Sequence, residues 1–150
     1  MNIVKSLAGL VLLSAALPAL ADECTLTIGS NDAMQYDKQE LSVPASCKEV
    51  TLTLNHTGNL EKKVMGHNWV LSKTEDMQAI ATGSISAGAD KDYLDTSDKR
   101  ILAHTALIGG GESSSVTFST EGLAVGGDYS YFCSFPGHIG MMKGKFVITE

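Results

Sequence analysis

Cys133-Ser134-Phe135-Pro136-Gly137-His138-Ile139-Gly140-Met141-Met142 is a stretch that turns the chain and gathers ligand-type side chains at the same time. Residues 128–133 before it and 145–149 after it alternate apolar and polar side chains, so the stretch reads as a loop between two strands. Pro136-Gly137 supplies the turn chemistry. Four residues separate Cys133 from His138 and three separate His138 from Met142, which puts a thiol, an imidazole and a thioether around one small space. Thiolate and thioether are soft donors and imidazole is intermediate, a set that suits copper in both of its common oxidation states. Magnesium and calcium would require oxygen donors instead.

Working outward, period-two segments recur at 24–28, 41–43, 50–54, 68–71 and 101–108, and again at 116–118. In 50–54, Val50, Leu52 and Leu54 fall on one face and Thr51 and Thr53 on the other, the pattern of a sheet packed on one side. Glycines at 58, 83, 88, 109–111, 122 and 126–127 break the chain at intervals that suit a sandwich or barrel, so the fold class is all-β. One helix is expected over 74–87, with Thr74 as its cap, Glu75 and Asp76 in its first turn, and Met77, Ile80 and Ala81 facing the core. Tyr129 and Tyr131 share a strand face with Cys133 and read as core, as does Trp69.

A further strong ligand has to come from elsewhere in the chain. Gly66-His67-Asn68-Trp69 offers a histidine at a strand entrance beside a glycine that lets backbone approach an ion. His67 is therefore the preferred candidate, but His56 and His104 also lie in or near strand patterns, and spacing leaves the three open.

At the start of the chain, Lys5 precedes an apolar run over 7–17, and Ala19-Leu20-Ala21 presents small residues where a signal peptidase reads. Residues 1–21 are expected to be a cleaved secretion signal and residues 22–150 one domain. A membrane anchor is the rival reading, but 6–21 is only 16 residues long and contains Ser14 and Pro18, whereas a span needs about 20 apolar residues. No cysteine directly follows the cleavage point, as lipid attachment would require.

The chain carries 11 Lys and Arg against 17 Asp and Glu, a net charge of −6 that becomes one unit more negative when Lys5 leaves with the signal. Such a surface disfavours nucleic acid and anionic membranes. Three cysteines in an oxidising compartment leave one thiol unpaired, or paired with another chain. A bond between Cys24 and Cys47 would pin the start of the chain to a neighbouring strand, while the turn residues and ligands beside Cys133 mark it as the functional thiolate.

Taken together, Cys133 to Met142 and Met65-Gly66-His67-Asn68-Trp69 resemble the azurin family of blue copper proteins, which have the cupredoxin fold. Asn31-Asp32-Ala33-Met34-Gln35, Gly58-Asn59-Leu60, Asp90-Lys91-Asp92-Tyr93-Leu94 and Ala103-His104-Thr105 match in order and spacing, so the resemblance covers the whole of 22–150. It implies an eight-stranded Greek-key β-sandwich with one short inserted helix and a Cys24–Cys47 disulfide. It also implies one type 1 copper ion held by His67, Cys133 and His138, with Met142 as a long axial sulfur and the Gly66 carbonyl opposite. In that pattern Asn68 steadies the ligand loops and Met141 is not a ligand. His56 and His104 are not ligands either, His56 being buried and pH-sensitive and His104 more exposed. Ser134, Ile139-Gly140 and Glu150 depart from the commonest form of the family without touching the ligands.

The function implied is a periplasmic carrier of single electrons and not an enzyme, exchanging them with c-type cytochromes or with reductases such as nitrite reductase. The carrier is expected to be a monomer, docking through an apolar patch around His138 to which Met34, Leu60, Val64 and Met65 contribute. Two rivals come from other classes. A cysteine hydrolase with Cys133 as nucleophile and His138 as base gives Met142 no role. A copper storage or delivery protein would use similar donors but needs an exchangeable site.

Overall fold

The structure is a computed structural model and describes residues 23–150, so the expected signal at 1–21 lies outside the described residues. Two sheets face each other. The first comprises β1 (Thr25–Asn31), β2 (Gln35–Tyr36), β4 (Glu49–His56) and β7 (Ser113–Ser119), in the order β2-β1-β4-β7. The second comprises β3 (Glu40–Pro44), β5 (Val70–Lys73), β6 (Ile101–His104), β8 (Tyr129–Phe132) and β9 (Lys143–Thr149), in the order β3-β9-β8-β5-β6. β1 runs parallel to β4 and β3 parallel to β9, while the remaining pairs are antiparallel.

The sandwich agrees with the sequence pattern, but backbone pairing gives nine strands among the described residues where eight were expected. The additional one is β2, two residues long, which folds back on β1 after a turn in which Met34 takes φ 55°. Two residues contain no periodicity to read. The expected strand over 101–108 also stops at His104, and Ile108 instead pairs with His67 in an isolated bridge.

Strict alternation in β4 buries Val50, Leu52, Leu54 and His56 and sends Thr51, Thr53 and Asn55 outward. Opposite them, Leu41, Val43, Leu71, Tyr131, Phe146 and Ile148 come from the second sheet and close one continuous core around Trp69. Every residue of β8 is buried, because a helix covers its outer face. That helix, α2 (Met77–Ala87), follows the four-residue α1 (Lys62–Met65). It places Ile80 and Ala81 against Val70, Leu94 and Phe132 in a second, smaller cluster.

Thr74 does not cap α2, whose cap and start fall two residues later than expected. Asp76 occupies the cap position without a side-chain bond, and the Thr74 hydroxyl instead donates to Asp128 Oδ1 at 2.8 Å. A backbone turn from Lys73 to Asp76 intervenes before helical bonding begins. Cys24 and Cys47 form a disulfide with their Cα atoms 5.6 Å apart, tying the entry of β1 to the segment before β4. Closing a loop of that length contributes about 3 kcal/mol.

Candidate metal centre

Local structure delivers each donor to the same end of the sandwich. Cys133 follows the last residue of β8, and its N–H donates to the Met142 carbonyl at 3.0 Å, so the loop leaves and re-enters the sheet at one point. Between them Gly137 takes φ 83°, a left-handed conformation that costs glycine little, and the chain winds into a single 3-10 turn over His138–Gly140. The Met142 N–H closes that turn on the His138 carbonyl at 2.8 Å. His67 is held by reciprocal backbone bonds with Ile108 of 3.0 and 2.8 Å. Before it, a Cβ on Gly66 would lie 2.5 Å from the Lys62 carbonyl oxygen, so the close approach of backbone there requires glycine.

His67, Cys133 and His138 present their donor atoms within 4.8 Å of one another, all three residues buried. The Cys133 Sγ lies 3.9 Å from His67 Nδ1 and 3.7 Å from His138 Nδ1. The Gly66 carbonyl oxygen is 3.9 Å from the same sulfur. A metal ion bonded at about 2.0–2.3 Å to each donor bridges separations of this size, so the cluster fits a soft transition metal.

Surrounding groups fix the rings. The His67 Nε2 lies 2.8 Å from the Asn31 carbonyl oxygen, which can only accept, so the proton sits on Nε2 and the Nδ1 lone pair faces the sulfur. The His56 ring stacks on His67 at 4.4 Å, and the Phe135 ring lies 4.6 Å from His138. Asn68 clamps the two ligand-bearing segments: its Nδ2 donates to Ser134 Oγ at 2.7 Å and its Oδ1 accepts from the Ser134 N–H at 2.8 Å.

Burial sets the charges. It pushes the Cys133 thiol up to about 11, although the N–H groups of Asn68 and Phe135, hydrogen-bonded to the sulfur, pull the other way. The same desolvation, joined by repulsion from His67, brings His138 down to about 4, and it also lowers His67. Both imidazoles are therefore neutral with lone pairs free at neutral pH, and the thiol yields its proton readily only to a cation that replaces it.

Met142 is wholly buried in the core, whereas its neighbour Met141 is 56% exposed. His56 is buried, but both ring nitrogens are engaged, Nε2 with the Met65 carbonyl at 2.9 Å and Nδ1 with the Gly58 N–H at 3.0 Å. His104 is half-buried in β6 with Nδ1 3.1 Å from the Thr105 carbonyl oxygen, and neither histidine joins the cluster. Leu60 and Val64 are exposed, and Met34, Met65, Phe135, Pro136 and Ile139 are half-buried. Asn31 was not singled out for a role from the sequence: it acts through a backbone carbonyl, which leaves no trace in residue type.

Comparison with known proteins points to a copper-binding family. The family described as copper binding proteins, plastocyanin/azurin family, matches residues 22–149. Azurin of Bordetella pertussis is 52% identical over 145 residues, 96% of this chain and 97% of the relative. Azurin of Achromobacter denitrificans is 52% identical over 148 residues, 99% of each chain. Azurin of Pseudomonas aeruginosa is 49% identical over 146 residues, 97% of this chain and 99% of the relative.

Proposed function

Because the chain belongs to the plastocyanin/azurin family of copper-binding proteins, we propose that it is a blue copper carrier of single electrons. The observation that carries this reading is a buried sulfur with two imidazole Nδ1 atoms at 3.7 and 3.9 Å. Copper supplies the one-electron couple between its cupric and cuprous forms. His67 Nδ1, Cys133 Sγ and His138 Nδ1 would hold it, and the Met142 thioether and the Gly66 carbonyl would be the weaker further donors.

The protein's part is to keep these donors still. His67 is fixed by Ile108 and Asn31, Cys133 by Met142, and the two segments by the Asn68 clamp. Donors that cannot relax when the metal changes charge keep rearrangement small, which favours rapid exchange. Burial of all three also keeps water away as a competing ligand.

The physiological setting follows from the same reading. Residues 1–21 direct secretion and are removed, and residues 22–150 work in the periplasm as a monomer. On this reading the exposed Leu60 and Val64, with half-buried Met34, Met65, Phe135 and Ile139, make up a small apolar docking patch around His138. Redox partners generally bury less than about 1,200 Å² in total, which such a patch accommodates. Those partners are c-type cytochromes or periplasmic reductases such as nitrite reductase.

Adding cupric salt to purified apoprotein tests the proposal. The protein should turn intensely blue, bleach with reductant, recover with oxidant and retain its copper. Cys133→Ser should lose the colour, whereas Met142→Leu should keep much of it with an altered potential, because only the thiolate supplies the intense charge-transfer band. A blue Cys133→Ser protein would refute the assignment.

A further inference from the structure

We infer that Tyr36 is a positioning residue for the metal centre: its hydroxyl, reaching across the sandwich from β2, pins the Asn68 carbonyl and so holds the Asn68 N–H on the Cys133 sulfur. Tyr36 belongs to the first sheet and Asn68 to the segment leading into the second, so the bond joins the two layers beside the site. Tyr36 is 4% exposed and Asn68 1%, and the Tyr36 ring packs edge-on to Tyr131 at 5.6 Å.

Asn68 precedes the regular ladder of β5, which starts at Val70, and is oriented by what its polar groups meet. Its side chain grips Ser134, its N–H hydrogen-bonds the Cys133 sulfur, and its carbonyl accepts from Tyr36. The hydroxyl thus fixes the one end of the residue that the Ser134 clamp does not. Desolvation keeps the Tyr36 phenol protonated, so it remains a donor across the working pH range. An N–H directed at a thiolate withdraws electron density from sulfur, weakens its donation to a bound metal and favours the reduced state. Loosening Asn68 should therefore lower the reduction potential.

The potential rests on the electron-carrier reading, whereas the pinning of Asn68 does not, so the test has two arms. Tyr36→Phe removes only the hydroxyl. Tyr131→Phe is the control, since it removes a buried hydroxyl that donates to the Lys38 carbonyl at 2.7 Å. In the apoproteins, amide hydrogen exchange followed by NMR should accelerate at Asn68 about tenfold in Tyr36→Phe, the size expected for one lost buried hydrogen bond, and stay unchanged in Tyr131→Phe. After copper loading, the midpoint potential should fall in Tyr36→Phe alone.

Unchanged exchange at Asn68, or equal acceleration in both variants, overturns the proposal. So does an unaltered potential in a blue Tyr36→Phe protein. If the parent fails to turn blue, the electron-carrier reading fails and the exchange arm still decides the role of Tyr36. Should Tyr36→Phe not fold, the unaltered apoprotein serves: a slowly exchanging Tyr36 hydroxyl proton with magnetisation transfer to Asn68 supports the pin, and its absence overturns it.

Discussion

At the residue scale, the loop from Cys133 to Met142 was legible because three donor types are close in sequence and their softness identifies the metal. His67 was not decided by spacing, since it lies 66 positions before Cys133, and His56 and His104 also lie in or near strand patterns. In space His104 lies outside the cluster, and hydrogen bonding separates His56 from His67. Both nitrogens of His56 are occupied, while His67 spends only Nε2 on Asn31 and keeps Nδ1 free.

A second residue-scale feature gives a pH prediction. Arg100 donates to Asp98 through its side chain, at 2.6 Å for the closest pair, and through its backbone N–H at 3.0 Å. These bonds hold the Asp98 carboxyl down to about 2. Its folded value is below the unfolded value of about 3.9, so its contribution to stability is full above the unfolded value and is lost as pH falls through the folded one. Arg100→Gln should raise the Asp98 midpoint toward the ordinary carboxylate range, as followed by carboxyl carbon chemical shifts. An unmoved midpoint would assign the effect to the backbone bond alone.

At the scale of elements, the alternating strands were readable wherever one face was solvated, as in β4. β8 was legible too, at 128–133, although α2 covers its second face and leaves every residue of it buried. The elements that were missed are short: two residues in β2 and four in α1 cannot display a period. The start of α2 was misplaced because Thr74 resembles a cap by type, yet its hydroxyl is drawn to Asp128 and Ser130. α2 itself contributes Ile80 and Ala81 to the second apolar cluster. Ile80→Ala, at a position 3% exposed, should cost about 2–5 kcal/mol in denaturant unfolding while leaving the colour of the copper-loaded protein unchanged. A changed spectrum with unchanged stability would show that the helix tunes the site and does not merely support it.

At the scale of the molecule, the candidate metal site draws on both sheets, and its rigidity is a property of the whole sandwich. Asn31 comes from β1, His67 from the bridge to Ile108, and Cys133 from the end of β8. The sandwich class was visible from turn spacing, whereas pairing order was not, since β1–β4 and β3–β9 are parallel and join strands distant in sequence. Deleting Lys143–Thr149 should therefore abolish the cooperative thermal transition rather than lower its midpoint, because β9 lies between β3 and β8. A truncated chain that still melted sharply would show that the remaining strands fold independently.

The parallel ladder of β3 on β9 also governs the order of events during synthesis. The Thr149 hydroxyl donates to the Val43 carbonyl across 106 positions, so an early strand waits for a partner made much later. Until then Glu40–Pro44 has no strand to pair with and the polypeptide cannot commit to its final shape, which makes the arrival of β9 the step that ends its exposure to misassembly.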